Sequence, residues 1–482
     1  MPIDLLTLAP VPTLLRRVRE ELSASFIPGR PIRVSRSPGR LDVMGGIADY
    51  TGSLVCEMPL DRAAAVALTA RDDRQVQAFS FNLYDENVPF TITMSLDDLA
   101  RSSIDALRAN FAAPGRQWGG YLLGCLAVLQ EAGLIDLADP SLRGFNLALL
   151  SDVPLGAGVS SSAAIEVATM MNLIEHLNLR DRLDPMRVSA LCQRVENHVV
   201  GAPCGIMDQV ASCAGLEGSL MRMTCQPHEI GEPLRFPVGV RAVGINSNVK
   251  HSVGGGQYGK TRCAAFMGHA IILEEMRRFG NEAGRKLVAD PMRGYLANLD
   301  PEDYKRLFRP RLPESMKGGD FIARYGRTFD TATQPQPDVD YHVQLATDHH
   351  VLEARRVREF ARHLEEAGSR LATAAQRKLS LDKAGHLMYA SHKSYGDNAL
   401  LGASECDVLV DLVRANEPAG LYGAKITGGG SGGTVAVLCD EGDRAGAKLR
   451  EIMSEYERRV GNAPTLFEAS SPGGWAAGTR VV

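Results

Sequence analysis

The chain has 482 residues, and 53 basic against 57 acidic side chains leave a formal net charge of −4. Hydrophobic residues make up 45% and charged residues 23%, which is the balance of a globular protein with room for two or three domains. Neither half is strongly basic, so no nucleic-acid partner is indicated, and no apolar run reaches the length of a membrane span. Because the first residues lack a signal-peptide pattern, we expect a cytoplasmic protein without a membrane partner.

The cysteines and histidines form no metal-binding pattern. The nine cysteines are scattered and never spaced as C-x-x-C, and the eleven histidines include no H-E-x-x-H motif. We therefore expect neither a zinc site nor a disulfide framework.

The hydrophobic pattern predicts a mixture of helices and strands. An amphipathic helix over 11–22 is followed by strands over 32–37, 63–70, 76–81 and 90–94. Next come a helix (118–133), a strand (145–150), a helix that is apolar almost all round (163–177), a strand (238–245) and a helix (261–276). The Pro- and Gly-rich residues 309–340 predict an irregular insertion, and helices over 351–367 and 379–394 precede a short strand over 434–438. Without a regular βαβ alternation, this order favours an α+β fold, with a domain boundary near residue 235.

A glycine- and serine-rich loop, PLGAGVSSSAA at residues 154–164, follows the predicted strand at 145–150. Gly156 and Gly158 allow a tight bend and a close approach of the backbone to a ligand. Three serines then bring hydroxyl and N–H groups to a helix N-terminus, where the helix dipole favours anions. We interpret the loop as a phosphate-binding site; the alternative is a serine-capped helix after a glycine-rich turn.

Two further segments are rich in glycine. GGGSGG at residues 428–433 follows Lys425-Ile426-Thr427, which is typical of backbone crowded around a ligand, the alternative being a flexible hairpin. RSPGRLDVMGGIADY occupies residues 36–50, and its Pro-Gly-Arg on its own is a common turn. That segment becomes informative only together with the other two.

These three segments, in this order, resemble the signature motifs of the GHMP small-molecule kinases, and in particular their galactokinase-like branch. ENHVVGAPCGIMDQ at residues 196–209 resembles that branch's catalytic-aspartate segment, and residues 247–252 with Tyr258 resemble its sugar-contacting stretch. Residues 38–50, 425–434 and 466–473 are similar to L-arabinokinases. The resemblance implies a two-domain GHMP kinase fold, with an ATP-binding domain over 1–235, a C-terminal domain over 236–482, and the active site in the cleft between them.

The resemblance also implies a role for each matching residue. Asp208 matches the catalytic aspartate, which accepts the proton of a sugar hydroxyl or orients that hydroxyl, and Arg40 matches its partner, which stabilises charge on the phosphoryl group. Ser162 and Glu196 match the Mg²⁺ positions, and one hydroxyl with one carboxylate suffices because Mg²⁺ keeps several waters. The residues expected to contact ATP are Gly156, Gly158, Ser160, Ser161 and Ser162, with Trp118 and Tyr121 near the base. Those expected to contact the sugar are Asp49, Gly46, Ile47, Gly205, Tyr258, Gly429 and Gly430.

Residues 45–50, GGIADY, bear on the identity of the sugar. Galactokinases carry Gly-Glu-His-Thr-Asp-Tyr there, and in that family the glutamate helps to bind the 6-hydroxyl of galactose. L-Arabinopyranose is the galactose ring without the hydroxymethyl group, so Gly46 and the apolar Ile47 fit a sugar with nothing polar to present. Burying a hydroxyl without partners costs about 1–3 kcal/mol, which is roughly ten- to a hundredfold in discrimination. We therefore expect an ATP-dependent L-arabinose 1-kinase.

Other readings stay open at this point. The chain could instead be a galactokinase, act on another pentose or a uronic acid, or be a kinase-like sugar sensor without turnover. GGGQYGKT at residues 254–261 also satisfies the P-loop pattern G-x-x-x-x-G-K-S/T, in which Lys260 would bind phosphate. Polar residues 246–252 separate this run from its strand, so we interpret it as a coincidence. The sequence does not indicate the oligomeric state.

Overall fold

Strands and helices alternate irregularly along the chain. The computed structural model describes residues 4–249, 256–285 and 289–482. The strands are β1 (Arg33–Met44), β2 (Leu54–Ala70), β3 (Gln75–Ser80), β4 (Thr91–Ser95), β5 (Phe145–Ser151), β6 (Ser219–Thr224), β7 (Glu229–Ile230), β8 (Leu234–Arg235), β9 (Val240–Asn246), β10 (Met316–Lys317), β11 (Asp340–Tyr341), β12 (Leu421–Ile426), β13 (Thr434–Asp440), β14 (Thr465–Phe467) and β15 (Thr479–Val481).

The α-helices are distributed over both halves of the chain. They are α1 (Val11–Glu21), α2 (Phe81–Asp85), α3 (Leu96–Arg101), α4 (Ile104–Phe111), α5 (Gln117–Glu131), α6 (Ser161–His176), α7 (Pro185–Arg194), α8 (Met207–Ala214), α9 (Gly256–Glu282), α10 (Pro301–Asp303), α11 (Gly318–Tyr325), α12 (Val343–Gly368), α13 (Ala374–Asp397), α14 (Ser404–Arg414), α15 (Asp443–Val460) and α16 (Gly474–Ala477). Among the described residues, none of these helices is long and apolar enough to cross a membrane.

Two sheets organise the molecule. The larger has the strand order β15-β1-β2-β5-β3-β4, with β6 pairing with β2, and with β7 and β8 pairing with β6. Within the larger sheet, β3 and β5 run parallel, and the other described pairs are antiparallel. The smaller sheet has the order β12-β13-β9-β14 and is antiparallel. Helix α6 is buried over most of its length against β1 and β2, which explains why its sequence is apolar almost all round.

Strand β1 is longer than predicted and contains the Pro-Gly-Arg sequence that is a common turn elsewhere. The register with β2 shifts between Pro38 and Arg40, which indicates a bulge within a continuing strand. A Cβ on Gly39 would lie 2.6 Å from the carbonyl oxygen of Val159, so glycine lets β1 approach the loop before α6. The backbone N–H of Arg40 then donates to that same carbonyl at 3.1 Å. The bulged strand thereby places Arg40 directly beneath the glycine- and serine-rich loop.

The predicted irregular insertion at 309–340 contains some regular structure. Helix α11 and the short ladder between β10 and β11 lie within it, and an irregular stretch follows α11. At the end of the chain, β15 returns to the larger sheet beside β1. The domain bounds at 235 and 236 stay a prediction.

Candidate active site

A cavity of about 290 Å³ lies where segments from both halves of the chain meet. The predicted site residues that line it are Arg40, Ile47, Asp49, Gly156, Gly158, Ser160, Ser161, Ser162, Glu196, Gly205, Asp208, Tyr258, Gly429 and Gly430. Ala202, Pro203, Cys204 and Met207 also line it and were not predicted. A larger groove of about 650 Å³ lies between the starts of α13 and α15, and none of the predicted site residues lines that groove.

Arg40 and Asp208 form a charged pair at the cavity. Arg40 donates from Nε and Nη2 to Oδ1 of Asp208 at 3.0 and 2.8 Å, and from Nη1 to the carbonyl oxygen of Gly158 at 2.6 Å. Its side chain is 2% exposed, whereas that of Asp208 is 22% exposed. Burial by itself would lower the pKa of Arg40, but the acidic groups around it, Asp208 foremost, outweigh burial and raise it. Arg40 is therefore a fixed cation, and the exposed part of Asp208 faces the cavity.

Behind this pair lies a second layer of buried charge that sequence reasoning missed. Lys425 on β12 donates to Oδ2 of Asp42 on β1 at 2.5 Å, and both side chains are fully buried. Burial alone would raise the pKa of Asp42, but Lys425 lowers it below its usual value. Glu57 on β2 lies 3.3 Å from Nε of Arg40, and burial together with Asp42 raises its pKa well above the usual range. Asp42 and Lys425 lie inside the motif segments, so their position in the sequence could have indicated a role at the site. Glu57 lies outside these segments, and no sequence pattern indicated it.

The glycine- and serine-rich loop forms one wall of the cavity. Gly156, Gly158 and Ser160 adopt φ angles of 72°, 71° and 59°, the left-handed region in which glycine is favoured. Ser160 leads directly into α6, and its buried Oγ has no hydrogen-bond partner within the described chain. Buried hydroxyls are normally satisfied, so an unpaired one at the N-terminus of a long helix indicates a place for a ligand oxygen. The wall is suited to bind phosphate.

Ser162 and Glu196 lie together on this wall. Glu196 belongs to a π-helical turn, Val195–Val200, that continues α7. Its carboxylate accepts hydrogen bonds from Ser162 and, at 2.7 Å, from Nε2 of Gln209. Burial and the nearby Asp208 raise the pKa of Glu196 to about 7, against the hydrogen bond from Ser162. A hydroxyl and a carboxylate beside an anion-binding helix terminus fit Mg²⁺, which uses few protein oxygens and would keep Glu196 ionised.

Asp49 and Gly205 form the opposite wall. Oδ1 of Asp49 accepts a hydrogen bond from the backbone N–H of Tyr50 at 2.6 Å. Burial raises the pKa of Asp49 to about 7, and the nearby Asp208 adds to the effect. A Cβ on Gly205 would lie 1.6 Å from Oδ2 of Asp49, so glycine allows the loop before α8 to close over this carboxyl group. Besides Glu196, the cavity therefore has two acidic groups, Asp49 and Asp208, that can accept hydrogen bonds from hydroxyls.

Apolar side chains and a glycine loop complete the cavity. Ile47 is 1% exposed and lines it beside Asp49. Tyr258, in the first turn of α9, packs edge-on against Tyr50 with ring centroids 6.0 Å apart. Gly429 reaches the cavity from the loop between β12 and β13, and a Cβ there would lie 3.7 Å from the ring of Tyr258. Ile47, Gly429 and Gly430 contribute no polar side chain to the cavity.

Three predicted contact residues do not line the cavity. Trp118 and Tyr121 lie on α5, half-buried against the core of the larger sheet, and their contact with a nucleotide base stays a prediction. Gly46 lies fully within the protein, before Ile47. Residues 250–252 of the predicted sugar-contacting stretch lie outside the described residues.

The P-loop interpretation does not agree with the local structure. Residues 256–261 form the first turns of α9 instead of a loop, whereas Gly254 and Gly255 lie outside the described residues. Lys260 is exposed and lines a separate small cavity, and the hydroxyl of Thr261 donates to the carbonyl oxygen of Ala399 at 2.7 Å. A P-loop needs a turn whose N–H groups converge on a phosphate, and helical residues do not provide one.

Known proteins are similar to this chain in sequence and in fold. Residues 120–216 match the GHMP kinases N terminal domain, and residues 371–458 match the GHMP kinases C terminal family. The chain is 36% identical to L-arabinokinase of Arabidopsis thaliana, over 95% of this chain but 48% of that protein, so it spans about half the length of that relative. It is 30% identical to galactokinase of Chloroflexus aggregans, over 89% of this chain and 90% of that protein.

A solved structure shows the same fold. The crystal structure of Lactococcus lactis galactokinase complexed with galactose matches with a TM-score of 0.71 at 22% identity, over 95% of this chain and 98% of that one. The predicted fold, mixed α and β with two kinase domains, is thereby confirmed. The chain belongs to the GHMP kinases.

Proposed function

We propose that this protein is an ATP-dependent sugar 1-kinase that phosphorylates the anomeric hydroxyl of L-arabinose and forms β-L-arabinose 1-phosphate. The observation that carries the proposal is one cavity that contains the Arg40–Asp208 pair, the N-terminus of α6 and the wall formed by Asp49 and Ile47. Similarity to an L-arabinokinase and to galactokinases supports a sugar as the acceptor. The apolar Ile47 favours a sugar without an exocyclic hydroxymethyl group.

In the proposed reaction the anomeric hydroxyl lies against Asp208. Its oxygen forms a bond to the γ-phosphorus of ATP, the bond from that phosphorus to ADP breaks, and the proton passes to the carboxylate of Asp208. Arg40 stabilises the charge on the transferring phosphoryl group without reorganising, because Gly158 and Asp208 already hold its guanidinium. The N-terminus of α6 binds the remaining phosphates. Mg²⁺ held by Ser162 and Glu196 would supply further neutralisation of phosphate charge.

D-Galactose is the second candidate substrate. The galactokinase of Chloroflexus aggregans aligns over nearly its whole length, whereas the L-arabinokinase aligns over about half of its own. Asp49, which is expected to contact ring hydroxyls, would serve either sugar. A silent sugar sensor is disfavoured because Arg40, Ser162, Glu196 and Asp208 are all retained and all line one cavity.

The test is ADP release from MgATP with a panel of L-arabinose, D-galactose, D-glucuronate, galactosamine and mevalonate. The isosteric Asp208→Asn variant controls for contaminating kinases, and ³¹P NMR of the product shows whether the phosphate is on the anomeric oxygen. We expect the highest kcat/KM with L-arabinose and an anomeric phosphate. A preference for D-galactose would overturn the sugar assignment, and ATP binding without turnover of any sugar would favour the sensor.

A further inference from the structure

We infer that Tyr395 on α13 is a positioning residue that determines sugar selectivity. Its hydroxyl occupies the space of a side chain at position 46 and joins Ile47 to the glycine loop after β12. The inference rests on the proposed function, because it names what holds the apolar wall of the sugar site.

Position 46 cannot carry a side chain while Tyr395 is in place. A Cβ on Gly46 would lie 1.6 Å from the hydroxyl oxygen of Tyr395 and 2.8 Å from its Cζ. Both distances are far below van der Waals contact, and a close-packed interior offers no room for the ring to withdraw. Gly46 also has a φ of 47°, which a side chain would strain. The glycine is therefore required by Tyr395.

The same hydroxyl makes two hydrogen bonds to segments of the cavity. It accepts from the backbone N–H of Ile47 at 3.0 Å and donates to the carbonyl oxygen of Gly428 at 2.9 Å. A Cβ on Gly430 would lie 3.1 Å from Cδ1 of Tyr395, so the ring also packs against the glycine loop. Tyr395 is fully buried, and His349 packs edge-on against it with centroids 5.0 Å apart. The ring therefore holds Ile47 and the glycine loop in one arrangement.

The residues near Tyr395 that line the cavity determine which groups a sugar would contact there. Tyr395 does not line the cavity, whereas Ile47 and Gly430 do. A sugar therefore meets Ile47 at this point and finds no side chain from position 46. A fixed apolar wall leaves an exocyclic hydroxymethyl group without a hydrogen-bond partner, whereas a mobile wall would let water or a rearranged backbone provide one.

The first experiment compares kcat and KM of Tyr395→Phe with both L-arabinose and D-galactose. This variant keeps the ring and removes both hydrogen bonds. We expect the KM for L-arabinose to rise about tenfold with kcat nearly unchanged, and the preference for L-arabinose over D-galactose to fall at least about fivefold. The KM for ATP should stay the same. Tyr389→Phe, at another buried tyrosine of α13 that donates to neither segment, is the matched control and should keep the preference.

The second experiment needs no substrate and measures thermal unfolding. Gly46→Ala should lower the Tm by several degrees in the wild type, and by clearly less when combined with Tyr395→Leu, because the added methyl group then enters vacated space. Equal losses in the two backgrounds would overturn the steric part of the inference.

The wild-type protein tests the proposed function, and the Tyr395→Phe variant tests the inference about Tyr395. If the wild type prefers D-galactose or turns over neither sugar, the proposed function is wrong. If the wild type prefers L-arabinose and Tyr395→Phe keeps that preference, the inference about Tyr395 alone is wrong. A proportional loss of kcat with both sugars would likewise show a merely structural role for Tyr395.

Discussion

At the scale of single residues, the pKa values of Asp42 and Glu57 near Arg40 are shifted in opposite directions because their surroundings differ. Asp42 is paired with Lys425, and its pKa is lowered. Glu57 is fully buried, and burial raises its pKa well above the usual range. Asp208 keeps access to the cavity while one of its oxygens binds Arg40. The opposite shifts let Glu57 remain neutral while Asp42 carries charge.

Asp208 is the residue whose loss should affect chemistry most directly. Asp208→Asn removes the proposed proton acceptor but keeps the shape, so we expect kcat to fall by about 10²–10⁴-fold with little change in the KM for ATP. Coupled ADP release under saturating sugar measures both. Lys260→Ala is the control and should retain activity, since Lys260 is exposed and lies outside the cavity. Loss of activity in Lys260→Ala with normal activity in Asp208→Asn would restore the P-loop hypothesis.

Asp49 should make stability depend on pH. Its pKa is about 7 in the folded protein and 3.8 in its ordinary state, so between these values the folded chain holds a proton that the unfolded chain has released. The stabilisation from this group is present below about pH 3.8 and is lost as the pH rises to about 7, on the order of 4 kcal/mol in all. Asp49→Asn has no carboxyl group to ionise at this position, so its stability does not fall with pH for this reason. The Tm of the variant minus the Tm of the wild type should therefore be larger at pH 8 than at pH 5. A pH-independent difference in Tm would contradict the assignment.

At the scale of elements, the segment after α11 supports the loop that enters α8. Asp330 accepts from Nε and Nη2 of Arg262 at 2.9 and 2.7 Å, and both side chains are buried. Nη1 of Arg262 donates to the carbonyl oxygen of Cys204 at 3.0 Å. Cys204 lines the cavity, so Arg262 connects the irregular insertion to the cavity wall.

The connection through Arg262 can be tested by removing the negative charge of Asp330. Asp330→Asn leaves the guanidinium of Arg262 buried without its carboxylate, which should cost about 3–5 kcal/mol of stability and raise the KM for the sugar. Chemical denaturation and steady-state kinetics measure the two effects. Asp338→Asn, at an exposed position in the same segment, is the matched control and should change neither. A normal KM in a clearly destabilised Asp330→Asn protein would restrict the arginine to a structural role.

At the scale of the whole molecule, a buried ion pair joins the two sheets beneath the cavity. Asp42 belongs to the larger sheet and Lys425 to the smaller. The backbone N–H groups on both sides contribute as well, since Asp42 N donates to Oγ1 of Thr427 at 2.8 Å and Gly428 N donates to Oδ2 of Asp42 at 3.2 Å. These polar contacts therefore help to fix the relative position of the two halves at the cavity.

Breaking that pair should destabilise the whole protein. Lys425→Met leaves Asp42 buried and unpaired, so we expect a loss of about 3–5 kcal/mol in the free energy of unfolding. The double variant Lys425→Met with Asp42→Asn should recover part of this loss, because no uncompensated charge remains. Urea unfolding measures both. Lys393→Met, which breaks an exposed pair with Asp397, is the control and should cost no more than about 1 kcal/mol.

Much of the molecule could be predicted from sequence because the signals are local. Hydrophobic periodicity located α5, α6, β5 and β13 to within a few residues, and the glycine and serine pattern located the loop that forms one wall of the cavity. The extent of β1 could not be predicted, because its continuation through Pro38-Gly39-Arg40 depends on pairing with β2 and on a distant carbonyl group. The functional roles of Trp118, Tyr121 and the domain bounds stay predictions.

The sequence by itself determined the family, the order of the motifs and the residue types available for chemistry, since these depend on neighbours along the chain. The tertiary structure decided which charges are buried together. Arg40 meets Asp208 across 168 residues of sequence, and Asp42 meets Lys425 across 383. The same holds for Tyr395, whose hydroxyl meets Ile47 across 348 residues. Burial, pairing and steric exclusion arise only when such distant segments pack, and no local pattern encodes them.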